Sequence, residues 1–149
     1  MSDDFKKNFD LALSNAKRLS NKILIDGNLI SAKSAKKIKV INPSSGEQIG
    51  EAPQCDKNDV DTAVSSAETA FHRWKKIPAR ERGKMMTAAA RKLEQRRDEI
   101  ETLLALDTGN ALRTQAKPET AASIELTHMF AGLAGEIKGE NYPPNIPNT

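Results

Sequence analysis

The stretch PARERGKMMTAAARKLEQRRDEIETLLALDTG, residues 78–109, decides the fold of this chain, because most other segments make sense as its partners. Its apolar residues fall three, four or seven positions apart and so share one face of a helix. They are Met86, Ala89, Leu93, Ile100, Leu103 and Leu104. Pro78 suits the first turn of a helix, and Gly109 suits the left-handed residue that ends one. The sequence therefore predicts one long helix here, with one face buried.

A second long helix is predicted to start near Asn58 or Asp59, where acidic residues follow a cap-like opening. Its apolar stripe repeats at steps of four and three and is predicted to be core; it consists of Val60, Val64, Ala67, Phe71 and Trp74. Pro78 ends this helix and opens the next. The two helices are therefore predicted to pack side by side as a helical hairpin.

The last helix is predicted between Pro118 and Lys138 and carries apolar residues on two faces. One face holds Leu126, Phe130, Leu133 and Ile137, and the other holds Ile124, Ala131 and Ala134. Such a helix is expected to lie between two layers. Gly132 and Gly135 would let a neighbouring backbone come close, and Gly139 would end the helix.

Short strands precede these helices. Asp26-Gly27 lies between two apolar runs and predicts a type I′ hairpin turn. Residues 38–41 and 48–52 are predicted strands, and Asn42-Pro43 opens a turn between them. An amphipathic helix over residues 5–19 is predicted to dock on the main body. The chain is therefore α+β, an N-terminal β-hairpin and strands followed by three long helices.

Composition excludes several function classes. The chain has 149 residues, so one core is expected, and its 23 basic and 20 acidic residues give a net charge of +3. That balance requires no polyanionic partner, so nucleic-acid binding through the basic residues near Arg80 and Arg91 is not expected. No apolar run approaches the roughly 20 residues that span a bilayer, and the amino terminus resembles neither a signal nor a transit peptide. A single cysteine suits a reducing compartment, and a cytoplasmic location is predicted.

The residues that carry chemistry form no complete active site. Cys55 stands beside Asp56, an acid that would raise rather than lower the pKa of its thiol. His72 and His128 are far apart in sequence, with no acid or thiol at metal-ligand spacing. Neither a dinucleotide-binding glycine motif, a P-loop nor a serine elbow occurs.

Five segments, in this order and at plausible spacings, resemble the amino-terminal third of the aldehyde dehydrogenase superfamily over about residues 22–142. They are VINPSSGEQIG at 40–50, DVDTAVSSAETAF at 59–71 with Trp74 following, PARER at 78–82, LDTG at 106–109 and FAGLAGEIKG at 130–139. One departure is Asn110-Ala111, where many members have Lys-Pro. The departure concerns only the local turn.

The resemblance implies an α/β family fold with a Rossmann-type cofactor domain and oxidation of an aldehyde to a carboxylic acid by NAD or NADP. The family's nucleophilic cysteine, its glutamate and the strands that cradle the dinucleotide correspond to positions beyond residue 149. The chain is therefore expected to supply no catalytic or cofactor-binding residue, and to be inactive alone. The expected division is a helical extension at 1–21, the N-terminal part of the cofactor-binding domain at 22–142, and a truncated Pro-rich linker at 143–149.

The resemblance also implies sites and partners. Many members hold a monovalent cation, K⁺ or Na⁺, with oxygens of the strand before Asn-Pro and the carboxylate of the LDTG motif. The residues that correspond here are Val40 and Ile41, through their carbonyls, and Asp107. The alternative is that Asp107 only hydrogen-bonds the turn at Gly109. Pro118 and Ala122, one turn apart, would face the aldehyde entrance. The partners expected are a small aldehyde, the remainder of the family fold and, when complete, further copies of the protein.

A second hypothesis, from another class, is a non-catalytic helical interaction module. The amphipathic stripes and the amphipathic leader suggest it. Such a module would melt cooperatively by itself, whereas a piece of a larger fold should bind hydrophobic dyes through uncovered helix faces.

Overall fold

The computed structural model describes residues 3–34 and 36–140, and it has an α+β architecture. Its elements in chain order are α1 (Asp3–Leu19), β1 (Lys22–Ile25), β2 (Asn28–Ser31), β3 (Lys37–Ile41), β4 (Gln48–Pro53), α2 (Lys57–Trp74), α3 (Ala79–Gln95), α4 (Arg97–Thr108), a π-helical turn (Leu112–Ala116) and α5 (Lys117–Leu133). The strands pair antiparallel as β1 with β2 and β3 with β4. Short strands followed by helices confirm the predicted fold class.

The first hairpin turns where the sequence predicts. Asp26 and Gly27 both have positive φ, 51° and 74°, which is the conformation of a type I′ turn. The second hairpin contains a β-bulge: Val40 pairs with Gly50 and Ile41 with Gln48, so Ile49 is the extra residue on β4.

The stretch 78–109 forms two helices, so the prediction of one continuous helix is wrong. The break is at Arg96, whose φ of −112° and ψ of 17° are not helical. The Arg96 guanidinium donates two hydrogen bonds to the Glu99 carboxylate, at 2.9 and 2.7 Å, and so stabilises the new start. The break lets α3 pack on α5 while α4 packs on α1. Both predicted ends hold: Pro78 precedes the first turn of α3, and Gly109 ends α4 with a left-handed φ of 75°.

The core joins α1, β4 and α4. Ala12, Ile49 and Leu106 are buried there, and partly buried Val40 and Leu103 pack against them. The prediction that the first helix docks on the main body is therefore confirmed. A second contact brings α3 against α5, where Gly83, Ala90, Ile124 and Ala131 are buried.

The predicted core stripe of α2 is exposed. Val60, Val64 and Phe71 are 53%, 60% and 57% exposed, so the prediction that they form core is wrong for this chain. Helix α2 contacts β1 and makes no extensive interface with α3, so the predicted helical hairpin is also absent from the described residues. Helical periodicity identifies a common face but not whether a partner covers it.

Helix α2 begins at Lys57, one or two residues earlier than predicted, because its cap is Asp56. The Asp56 carboxylate accepts a hydrogen bond from the Asp59 N–H at 3.0 Å, and the Asp59 carboxylate accepts one from the Asp56 N–H at 3.2 Å. This reciprocal pair is a capping box. Asp59 is also buried and accepts from the Lys33 N–H at 2.9 Å. The hydrogen bonds from these backbone N–H groups lower the pKa of the Asp59 carboxyl, and the bond from Lys33 contributes most.

Helix α5 ends at Leu133, short of the predicted Lys138 and Gly139. One face, with Ile124 and Ala131, is buried. The opposite face is exposed; it consists of Leu126, Phe130 and Leu133, and Ile137 beyond the helix is exposed too. Only one of the two expected layers is therefore present in the described part of the chain.

The close backbone contact on α5 comes from a glycine of α3. A Cβ at Gly83 would lie 2.5 Å from the Ala131 carbonyl oxygen, whereas a Cβ at Gly132 or Gly135 would have no neighbour within 4 Å. The expectation that Gly132 and Gly135 admit another backbone is therefore wrong for the described residues. The predicted linker at 143–149 lies outside the described residues. None of the described helices is both long and apolar enough to pass through a lipid bilayer.

We expect Gly83→Ala to lower the free energy of unfolding by about 1–3 kcal/mol, because the added methyl group has no room against α5. The matched control is Gly132→Ala, which adds the same methyl group in open space and should stabilise α5 by about 0.5–1 kcal/mol. Urea unfolding followed by far-UV circular dichroism measures both. Equal effects of the two substitutions would contradict this packing.

Candidate functional site

Two of the three predicted cation ligands come together in one pocket. Val40 on β3 and Asp107 at the end of α4 both line an open, mainly apolar pocket of about 460 Å³ between α1, β4 and α4. The pocket wall also includes Leu103, Leu104 and Ile49. Ile41, the third predicted ligand, does not line this pocket and is 41% exposed.

The backbone beside the pocket is irregular. The β-bulge of the second hairpin falls between Val40 and Ile41, the two residues whose carbonyls are predicted to bind the cation. A bulge interrupts the regular hydrogen-bond ladder and leaves backbone groups available for other partners. The extra, unpaired residue of the bulge is Ile49 on β4, which lies opposite the Val40–Ile41 step of β3.

The electrostatics at the end of α4 favour a cation. Asp107 is exposed in the last turn of this helix, and that turn carries no basic residue. The carboxyl end of a helix has a partial negative charge, which adds to that of the carboxylate. Carboxylate and carbonyl oxygens are the ligands that hard cations prefer. The donor chemistry therefore fits a monovalent cation, although the described residues supply only part of a ligand shell.

The turn at Gly109 is stabilised by Thr108 rather than by Asp107. The Thr108 hydroxyl donates to the Leu104 carbonyl at 2.7 Å and accepts from the Asn110 N–H at 3.2 Å. Among the described residues, Asp107 forms no hydrogen bond with this turn. The alternative role predicted for Asp107 is therefore not supported.

Two of the sequence motifs are in direct contact. A Cβ at Gly109 would lie 2.7 Å from Pro43 Cγ, so the LDTG turn packs closely on the Asn-Pro turn. The latter is ordered by Asn42, whose side-chain oxygen accepts from the Ser44 N–H at 2.9 Å and whose carbonyl accepts from the Gly46 N–H at 2.8 Å. This contact fixes the end of β3 relative to the end of α4.

The segment after Gly109 departs from the pattern of the family that the sequence resembles, and side-chain hydrogen bonds link it to the residues that follow. The Ala111 N–H donates to the Gln115 side-chain oxygen at 3.0 Å, and the Asn110 amide donates to Glu119 at 3.4 Å. A π-helical turn over Leu112–Ala116 then leads into α5. Sequence reasoning missed this turn, because no simple periodicity marks a five-residue π-turn.

Sequence reasoning also missed a buried carboxylate. Glu101 lies in the stretch predicted to be one helix, outside its apolar face, yet it is only 5% exposed. Burial raises the pKa of the Glu101 carboxyl, and Lys117, whose Nζ lies 4.0 Å away, opposes that shift. The break at Arg96 changes the direction of α4. The side of a single continuous helix on which Glu101 would lie is therefore not the side that it occupies here.

The predicted substrate-entrance residues lie on the outside of α5. Pro118 and Ala122 are both exposed, with Pro118 in the first turn. The neighbouring pocket of about 320 Å³ is lined by other residues of the same helix, including Thr120 and Ser123. Their role at an entrance stays a prediction.

The other candidate ligands form no metal centre. Within residues 3–34 and 36–140, no three His, Cys, Asp or Glu side chains are grouped to hold a metal ion. His128 Nε2 lies 3.2 Å from a Glu94 carboxylate oxygen, and Cys55 is exposed. A cation at Asp107 would therefore depend on backbone oxygens for its other protein ligands.

Comparison with known families identifies the class of protein. The sequence model described as "Aldehyde dehydrogenase family" matches residues 29–149. The match covers most of the chain and contains all five segments described above. The chain therefore belongs to the aldehyde dehydrogenase family.

Individual relatives agree with this assignment. The chain is 36% identical over 130 residues to human cytosolic 10-formyltetrahydrofolate dehydrogenase, covering 86% of the chain and 14% of that protein. It is 35% identical over 130 residues to a mitochondrial benzaldehyde dehydrogenase of Antirrhinum majus, covering 86% of the chain and 24% of the relative. Betaine aldehyde dehydrogenase of Staphylococcus aureus, crystallised with NAD⁺, superposes with a TM-score of 0.84 at 29% identity over 95% of the chain and 28% of that protein. The chain thus spans a quarter or less of the two sequence relatives' length.

We expect Gly109→Ala to destabilise the fold through two effects. Its left-handed φ costs an alanine about 1–2 kcal/mol, and the clash with Pro43 adds about 1–3 kcal/mol. Gly46→Ala is the matched control, because Gly46 has a φ of 73° and a Cβ there would have no neighbour within 4 Å. Urea unfolding of both variants measures the difference. Equal losses would show that the two turns are not in close contact.

Proposed function

We propose that this chain is the amino-terminal portion of an NAD(P)-dependent aldehyde dehydrogenase that oxidises an aldehyde to a carboxylic acid. The family match over residues 29–149 carries the proposal. NAD or NADP, when bound, accepts the hydride that leaves the substrate. The role of this chain is to position the elements around that chemistry, since its only cysteine, Cys55, lies outside the family's cysteine motif.

The exposed apolar faces support a larger assembly. Val64 and Phe71 on α2, and Leu126 and Phe130 on α5, are each about half exposed or more, which is unusual for large apolar side chains sharing a helix face. The remainder of the family fold would cover both faces. A self-contained helical interaction module, the alternative, would have to cover these faces within itself.

The proposed division of the chain follows from the same resemblance. Residues 1–21 form a helical extension, residues 22–142 the N-terminal part of the cofactor-binding domain, and residues 143–149 a Pro-rich linker. Pro118 and Ala122 would border the aldehyde entrance. We further propose that the complete protein is a cytoplasmic homo-oligomer without nucleic-acid or membrane partners.

The proposed cation site uses Asp107 with the carbonyls of Val40 and Ile41, and K⁺ and Na⁺ are the ions proposed. The shared pocket of Val40 and Asp107, the bulge between Val40 and Ile41, and the uncompensated carboxyl end of α4 support it. Bound there, the cation would neutralise the carboxylate and link β3 to α4.

We expect the protein expressed from the complete reading frame to reduce NAD⁺ or NADP⁺ only when an aldehyde is present, with propionaldehyde and benzaldehyde as probes. The 149-residue chain alone should give no turnover above background, because the nucleophile and the glutamate are absent from it. Absorbance at the wavelength of reduced nicotinamide measures both. Turnover by the chain alone, or none by the complete protein with aliphatic and aromatic aldehydes, would contradict the proposal.

A further inference from the structure

Helix α1 contacts α4, which carries Asp107, and β4, the strand that pairs with Val40 and Ile41 of β3, although the family match begins only at residue 29. We infer that α1 is a positioning element of the Val40–Asp107 cation site, with Ser20 fixing β4 and Asn15 fixing α4. The inference rests on the proposed cation site and assigns a role to a segment that the family match does not include.

The first connection is a hydrogen bond at the carboxyl end of α1. The Ser20 hydroxyl donates to the Ala16 carbonyl at 3.0 Å and accepts from the Glu51 N–H at 3.1 Å. The fit is close, because a Cβ at Gly50 would lie 3.2 Å from Ser20 Oγ. Gly50 is the residue that pairs with Val40. Ser20 therefore sets the position of the strand that supports Val40.

The second connection runs from α1 to the start of α4. The Asn15 side-chain amide donates to the Glu99 carboxylate at 2.7 Å, and the same carboxylate accepts from Arg96 at the helix break. The bonds from Arg96 and Asn15 together lower the pKa of the Glu99 carboxyl. Asn15 therefore joins α1 to the residue that stabilises the direction of α4, the helix that ends at Asp107.

The third connection explains why the β-bulge persists. The extra residue of the bulge, Ile49, is buried against Ala12 of α1, which has no exposed surface, and against Leu106. Leu106 is adjacent to Asp107 in the chain. Without α1, Ile49 would lose the surface that buries it, and a regular ladder would become competitive with the bulge. Burial against α1 therefore stabilises the bulged residue of β4, which lies opposite the Val40–Ile41 step of β3.

The test measures cation binding without relying on activity. The complete protein is titrated with KCl, choline chloride keeps the ionic strength constant, and the thermal unfolding midpoint is recorded. We expect K⁺ to raise the midpoint of the wild type and to have no specific effect on Asp107→Ala. Ser20→Ala should raise the half-saturating K⁺ concentration about fivefold or more, the equivalent of one net hydrogen bond of about 1 kcal/mol.

Ser14→Ala is the matched control, because Ser14 is an exposed serine on the same helix, and it should titrate as the wild type does. Asn15→Ala provides an independent second variant and should weaken K⁺ binding in the same direction. If Ser20→Ala and Asn15→Ala both have the half-saturating K⁺ concentration of the wild type, the role of α1 is overturned while the cation site is left intact. The role of α1 would also be overturned if the two variants lowered the thermal unfolding midpoint without changing the half-saturating K⁺ concentration. That result would indicate a purely structural role. A wild type that responds to neither K⁺ nor Na⁺ would refute the cation site and this inference together.

Discussion

The burial of Ile49 and Leu106 against Ala12 is the contact on which the described structure depends. It joins the first helix, the second hairpin and the end of α4, three elements that are distant in sequence. No large side chain in the described part of the chain is fully buried, so the three elements are joined by a small cluster. Because the stabilisation from burial is proportional to the apolar area removed from water, this small cluster gives the fold of the chain only limited stability. That one contact places the bulged strand β4 beside the end of α4, where the proposed cation site lies.

The same shortage of buried area explains the outward apolar faces. The stripes of α2 and α5 have the spacing of core residues but no described partner to pack on. In a family whose members are several times longer than this chain, such faces are natural contact surfaces for the remaining fold. The proposed role of the chain is therefore that of a framework: it orders two turns and presents a candidate ion site, while the proposal assigns the chemistry of aldehyde oxidation to other parts of the family fold.

Local signals in the sequence predicted local structure well. Asp26-Gly27 specified its turn, and Pro78 and Gly109 specified the ends of a helical stretch, because each acts through its own backbone preferences. The break at Arg96 was missed, since it depends on a side-chain interaction with Glu99 and on two different packing partners. The burial of Glu101 was missed for the same reason. Periodicity predicted which residues of α2 share a face, but it could not reveal that the face is uncovered.

The site was less predictable than the fold. Val40 and Asp107 are 67 positions apart by number, and only resemblance to a family suggested that they meet. The bulge at Ile49 has no signature in the strand pattern, because it arises from burial against a helix that precedes it. The contact of Gly109 with Pro43 is likewise tertiary, although the left-handed glycine that permits it was predictable.

The most direct measurement is the binding of a hydrophobic dye to the 149-residue chain alone. If the face of α2 is a surface for the rest of an enzyme, the chain should enhance dye fluorescence strongly, and replacing Val64 and Phe71 together by serine should reduce that enhancement. Dye fluorescence at the level of buffer, with a cooperative thermal transition that the double substitution leaves unchanged, would contradict the account.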